Sequence, residues 1–242
     1  MAGLQKTGAA VNGWRERHGK VMAAFLRYLN EKGGGYVLKG GTALAFCYRL
    51  DRFSEDVDLD GVERTLVDTV DAFCRDNGYQ YRIAKDTGTV QRCMVNCGND
   101  GRPLKIEASY RRRAIDEAET AIINGILVYN IETLCVLKVY AYSNRDKIRD
   151  LYDLAFICNN YFECLSRQTV ALLRSALDYR GLEHFDYIVK NQPDELIDTD
   201  KLAEDFLKMY DRFGLLLDED ERQILEAGYN HAKDGNGNGN KL

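Results

Sequence analysis

Apolar residues recur at helical intervals early in the chain, at Val21, Ala24, Phe25, Tyr28 and Leu29, and the stripe stops at Gly33, Gly34 and Gly35. This spacing predicts a helix between Trp14 and Asn30 with one face to bury. The period then shortens. Tyr36, Val37 and Leu38 make a brief β-branched and aromatic run, a strand, which Gly40 and Gly41 turn into a helix reaching Leu50. From Ser54 to Leu59 polar and apolar residues alternate, predicting a strand with Val57 and Leu59 on one face and Asp56, Asp58 and Asp60 on the other. A helix through Leu66, Val67, Val70, Phe73 and Cys74 stops at Gly78. Three strands, 79 to 84, 89 to 96 and 103 to 110, follow it, punctuated by Gly88 and a turn at 98 to 101.

Beyond Asn130 the pattern becomes helical, with segments at 131 to 143, at 149 to 159, from Glu163, from Thr199 to Phe213 and from Asp218 to His231. Short polar joints between them predict a helical bundle packed on the sheet. The expected organisation is α+β: a mixed sheet flanked by helices over 1–125, a helical domain over 126–232, and a disordered tail over 233–242, where DGNGNGNKL has nothing to bury.

The most telling stretch is KGGTALAFCYRLDRFSEDVDLD, Lys39 to Asp60. Glycines without side chains let backbone N–H groups approach an anion, and the helix after them adds the partial positive charge of its N-terminus. Phosphate would sit there, with the Thr42 hydroxyl as a further donor. Asp56 and Asp58, two apart on a strand, can converge on hard cations, and magnesium takes few protein carboxylates plus substrate phosphates. Two such ions would clamp the attacking and leaving oxygens of a phosphoryl or nucleotidyl transfer. If the strand at 103 to 110 lies beside this one, Glu107 adds a third carboxylate.

A second cluster lies in KVYAYSNRDKIRDLYDLAFI, Lys138 to Ile157. Lys138 sits on an apolar helix, where a charge needs a partner or a route to solvent. Asp150 and Asp153 are three apart and share a helix face. Basic residues gather at Arg111, Arg112 and Arg113 and at Arg145, Lys147 and Arg149, where phosphate of a nucleotide or acceptor could be met. The net charge of −5 argues against coating nucleic acid nonspecifically, but a local basic groove still admits one nucleic-acid end. Seven cysteines with no paired framework suit a reducing compartment, and Cys93 and Cys97 read as structural thiols. No apolar run nears the roughly 18 residues that span a bilayer, and the N-terminus lacks an apolar signal core, so a cytoplasmic protein is expected.

Taken together, KGGTAL, RFSEDVDLD, the Lys138 helix and RDLYDL resemble the AbiEii/AbiGii-type toxin nucleotidyltransferases, which are polymerase-β-like enzymes of bacterial toxin–antitoxin and phage-defence systems. The resemblance spans residues 39 to 157. It implies nucleotide contacts at Lys39, Gly40, Gly41, Thr42, Ser54 and Lys138, metal ligation by Asp56 and Asp58 with Glu107 as third ligand, and an essential aspartate at Asp150. It also implies an NTP co-substrate with magnesium, a tRNA or other RNA acceptor modified at its 3′ end, and a cognate antitoxin. Two alternatives stay open: the same chemistry on a protein or small molecule, and a protein that binds NTP or an antitoxin without turnover.

Overall fold

The computed structural model describes residues 6–32, 35–98 and 102–216. The turn residues 99 to 101, the helix expected from Asp218 to His231 and the tail from 233 lie outside them. Helix α1 (Lys6–Lys32) carries the predicted stripe, burying Val21, Phe25 and Leu29. Strand β1 (Val37–Lys39) leads into helix α2 (Gly40–Cys47), and strand β2 (Asp56–Asp60) follows. α2 ends three residues before Leu50. Arg49 takes a left-handed conformation, φ 64°, and the Leu50 N–H turns back to the Leu44 carbonyl.

Helix α3 (Leu66–Asn77) stops where expected, at Gly78 with φ 70°. Its Phe73 meets Phe25 of α1 edge to face, centroids 5.1 Å apart, so these helices share an aromatic seam. Strands β3 (Gln80–Thr87), β4 (Val90–Asn96) and β5 (Leu104–Ser109) follow the three predicted runs.

The hairpin of β6 (Thr120–Ile123) and β7 (Ile126–Tyr129) was not expected, although Asn124-Gly125 between apolar runs is a strong hairpin signal. Both turn residues adopt positive φ, 52° and 74°. The hairpin straddles the expected junction at 125/126 and puts β7 inside the sheet. The sheet order is β3-β4-β5-β2-β1-β7-β6, mixed in direction, with β2 parallel to β5 and antiparallel to β1. Val57 and Leu59 of β2 and Ile106 of β5 are buried, leaving Asp56 and Asp58 to the opposite face of the sheet.

The helical part comprises α4 (Ile131–Asn144), α5 (Ile148–Tyr161), α6 (Arg167–Arg180), α7 (Glu183–Asn191) and α8 (Thr199–Arg212). Asn130, Ser166 and Asp198 cap α4, α6 and α8 through their side chains. The helix expected from Glu163 begins instead at Arg167, because Ser166 supplies the cap and 162–164 form a single 3-10 turn. α7 is a separate helix beyond those the sequence pattern predicts; Gly181, φ 70°, divides it from α6.

The α2–β2 loop joins the two parts. Arg52 forms a two-pronged pair with Asp153 of α5, Nε to Oδ1 at 2.7 Å and Nη2 to Oδ2 at 2.8 Å, with side-chain exposures of 4% and 0%. Next to it the Tyr152 hydroxyl donates to Asp51 at 2.8 Å. Removing one partner of such a buried pair strands the other charge. Arg52→Ala should therefore lower unfolding free energy by about 3–5 kcal/mol in denaturant titrations.

Candidate active site

The α2–β2 region and the start of α5 enclose a cleft of about 420 Å³. Its sheet wall begins with the glycines. Gly40 has φ 74°, and a Cβ there would stand 3.3 Å from the Asp58 carboxylate. At Gly41 a Cβ would lie 2.6 Å from Nη2 of the fixed Arg52 and 3.0 Å from Ser54 Oγ, so both positions need the bare backbone. Lys39, the residue before α2, does not cap it with its side chain, which leaves the first N–H groups of the helix without that partner.

Lys39 itself turns to Asp60, which also accepts from the Tyr129 hydroxyl at 2.9 Å. Asp60 is buried in that network at the far end of β2, away from the cleft. The Thr42 hydroxyl is spent inside the protein: its proton goes to the Asp56 carbonyl, and its oxygen lies 2.8 Å from Ser54 Oγ. Ser54 Oγ sits beside that hydroxyl and lines the cleft.

Asp56 and Asp58 both line the cleft. Their carboxylates share one cation, the Lys105 ammonium, with Nζ 2.8 Å from Asp56 Oδ2 and 3.4 Å from Asp58 Oδ1. The β2–β5 register sets Lys105 opposite Asp56 and Glu107 opposite Asp58, so β5 is the expected neighbour. Glu107, however, pairs with Arg92 of β4. Among the described residues no three His, Cys, Asp or Glu side chains gather as metal ligands. Two carboxylates already converging on an ammonium do fit magnesium, which draws its remaining ligands from water and phosphate. Desolvation raises the Asp56 carboxyl above its ordinary range, and Lys105 only partly offsets this. Burial pulls Lys105 downward, but Asp58 and Asp56 outweigh it and hold its ammonium charged.

The facing wall is basic and comes from α4 and α5. Lys138 is buried, its ammonium 2.6 Å from Asp153 Oδ2 and 3.1 Å from Asp150 Oδ1. Desolvation opposes its charge, and the two aspartates overcome that and raise it. Asp150 also accepts from Arg145, Nε to Oδ2 at 2.6 Å and Nη2 to Oδ1 at 3.0 Å. Burial disfavours the Asp150 carboxylate, yet Lys138 and Arg145 hold it below its ordinary value. Arg149 bridges Glu55 and Asp194, and Lys147 reaches Gln192 at 3.3 Å.

Arg111, Arg112 and Arg113 are not on either wall. They follow the C-terminal end of β5, and because β5 runs parallel to β2 they leave the sheet roughly 20 Å of strand beyond Lys105. Arg112 pairs there with Glu119. The residues that sequence reasoning missed are Arg52, Glu55, Lys105 and the Gln192–Asp194 rim, all of which line the cleft.

A model of the family described as "Nucleotidyl transferase AbiEii toxin, Type IV TA system" matches residues 24–227. Among solved structures, JHP933 from Helicobacter pylori is similar at 30% identity and TM-score 0.68, over 88% of this chain and 97% of that one. A second H. pylori structure, of a protein assigned as a nucleotidyltransferase, is similar at 29% identity and TM-score 0.67, over 86% of this chain and 95% of that one. A search of curated proteins finds no match.

The Asp150 carboxyl has an acid-side signature. With its folded pKa below the ordinary 3.8, its contribution is complete above that value and disappears as pH falls through the lower, folded one. Asp150→Asn should cost about 3 kcal/mol at neutral pH, and its deficit against wild type should shrink as pH falls below about 5. Denaturant unfolding across that range measures it; a constant deficit would contradict the assignment.

Proposed function

The chain belongs to the AbiEii nucleotidyltransferase toxin family, and we propose that it transfers a nucleotide from a magnesium-bound NTP to the 3′-terminal hydroxyl of a tRNA, releasing pyrophosphate. The observation that carries this reading is the opposition of two walls in one cleft: Asp56 and Asp58 converging on a single cation, and Lys138, Arg145 and Lys147 across from them. An anionic triphosphate held by divalent ions matches that charge distribution on both sides.

In this reading the acceptor hydroxyl attacks the α-phosphorus in line with the departing pyrophosphate. The β and γ phosphates rest on the N-terminus of α2, with Gly41 permitting the approach and Ser54 lining the same wall. Magnesium, when bound by Asp56 and Asp58, supplies charge neutralisation at the transferring phosphoryl group. Arg145 and Lys138 stabilise the charge that accumulates on the phosphate oxygens, and Asp150 is a positioning residue that aims both. The resemblance of the motifs supports the tRNA acceptor, a cognate antitoxin as partner and a cytoplasmic setting. Among the described residues no helix is long and apolar enough to cross a membrane.

Purified protein given magnesium, labelled NTPs and total tRNA should transfer label to the RNA. Asp58→Asn should lower the rate about 10³-fold or more, and Lys138→Ala about 10²-fold. Undiminished labelling by Asp58→Asn would remove the metal assignment, whereas label on protein with none on RNA would change the acceptor.

A further inference from the structure

Two carboxylates on one strand face repel each other, and partial burial makes the repulsion costly. In this cleft the nearby cations are largely committed elsewhere: Lys138 to Asp150 and Asp153, Arg145 to Asp150, Arg149 to Glu55 and Asp194. Lys105 is the side chain that neutralises the Asp56–Asp58 pair. The parallel β2–β5 register places it opposite Asp56, and Nζ reaches both carboxylates, at 2.8 and 3.4 Å. The other charged residue of β5 on that face, Glu107, is taken by Arg92.

A divalent ion needs the same oxygens. Lysine is suited to give them up, since its ammonium is a compact point charge on a flexible four-carbon stem, and its side chain lines the open cleft at 25% exposure. We propose that Lys105 is the resident counter-cation of the Asp56–Asp58 pair and competes with the divalent ion for it. The ion then binds weakly by itself and arrives with the triphosphate, whose anionic oxygens offer the displaced ammonium a new partner. This deepens the nucleotidyltransferase reading and rests on it.

Manganese binding to the full chain without nucleotide, followed by calorimetry or by the free-ion electron paramagnetic resonance signal, tests the competition directly. Lys105→Met should bind manganese about tenfold tighter than wild type or better, because the competing charge is gone. Lys105→Arg, which keeps the charge, should stay near wild type, and Asp58→Asn should lose binding. Adding a non-hydrolysable NTP analogue should tighten manganese binding more in wild type than in Lys105→Met.

Folding gives a second readout. In chelator Lys105→Met should melt below wild type, its carboxylates left unneutralised, and manganese should raise its melting temperature by more than it raises that of wild type. Equal or weaker manganese affinity in Lys105→Met, or equal thermal shifts, would overturn the competition while leaving the metal-site reading intact. If wild type and Lys105→Met both fail to bind manganese, with or without nucleotide, the metal site falls and the inference falls with it.

Discussion

Asp153 is the group on which the two halves of this protein depend. It carries no exposed surface, and it accepts a two-pronged bond from Arg52 of the α2–β2 loop while its Oδ2 also receives Lys138 of α4. A carboxylate so buried is tolerable only when its charge is balanced and its lone pairs are filled. Satisfying it therefore fixes three segments at once: the loop that leads into β2, the middle of α4 and the first turns of α5. Arg52 in turn occupies the space over Gly41, so the same network sets how closely anything can approach the start of α2.

From that constraint the cleft acquires two walls of opposite character. The sheet wall is acidic because β2 alternates, sending Val57 and Leu59 inward and Asp56 and Asp58 outward. The helical wall is basic because α4 and α5 meet near Asp150, which collects Lys138 and Arg145. Neither wall would hold its charge alone. Each depends on aspartates or cations placed behind it, and the open space between them suits a ligand that is anionic and accompanied by cations.

Much of this was legible in residue order, for a physical reason. The period of two from Ser54 to Leu59 and the paired glycines are local, so strand, turn and helix could be read from Lys39 to Asp60 without knowing any partner. The three-residue spacing of Asp150 and Asp153 likewise fixed their common face, and the AbiEii resemblance drew on these same local motifs. What was not legible is pairing across distance. Glu107 lies opposite Asp58 on the neighbouring strand, yet its carboxylate goes to Arg92, because β4 flanks β5 on the other side. Arg52 looked like part of a turn, and only the packing of α5 makes it an interior cation. The β6–β7 hairpin is a different case, since its signal, the Asn124-Gly125 turn, is local and stands in the sequence itself.

The α2–β2 loop is short, and nearly every polar side chain on it has a partner elsewhere. Asp51 accepts from Tyr152 and Lys201, Arg52 binds Asp153, Ser54 pairs with the Thr42 hydroxyl, and Glu55 takes Arg149. Arg149 continues to Asp194, so the rim beyond α7 is tied through one guanidinium to the segment that starts β2. A displacement of the helical part would therefore be felt first at Ser54 and Asp56 rather than at the sheet core, whose Val57, Leu59 and Ile106 are locked by packing. The loop is where the bundle and the carboxylate strand act on each other, and the mutual position of the acidic and basic walls is set there.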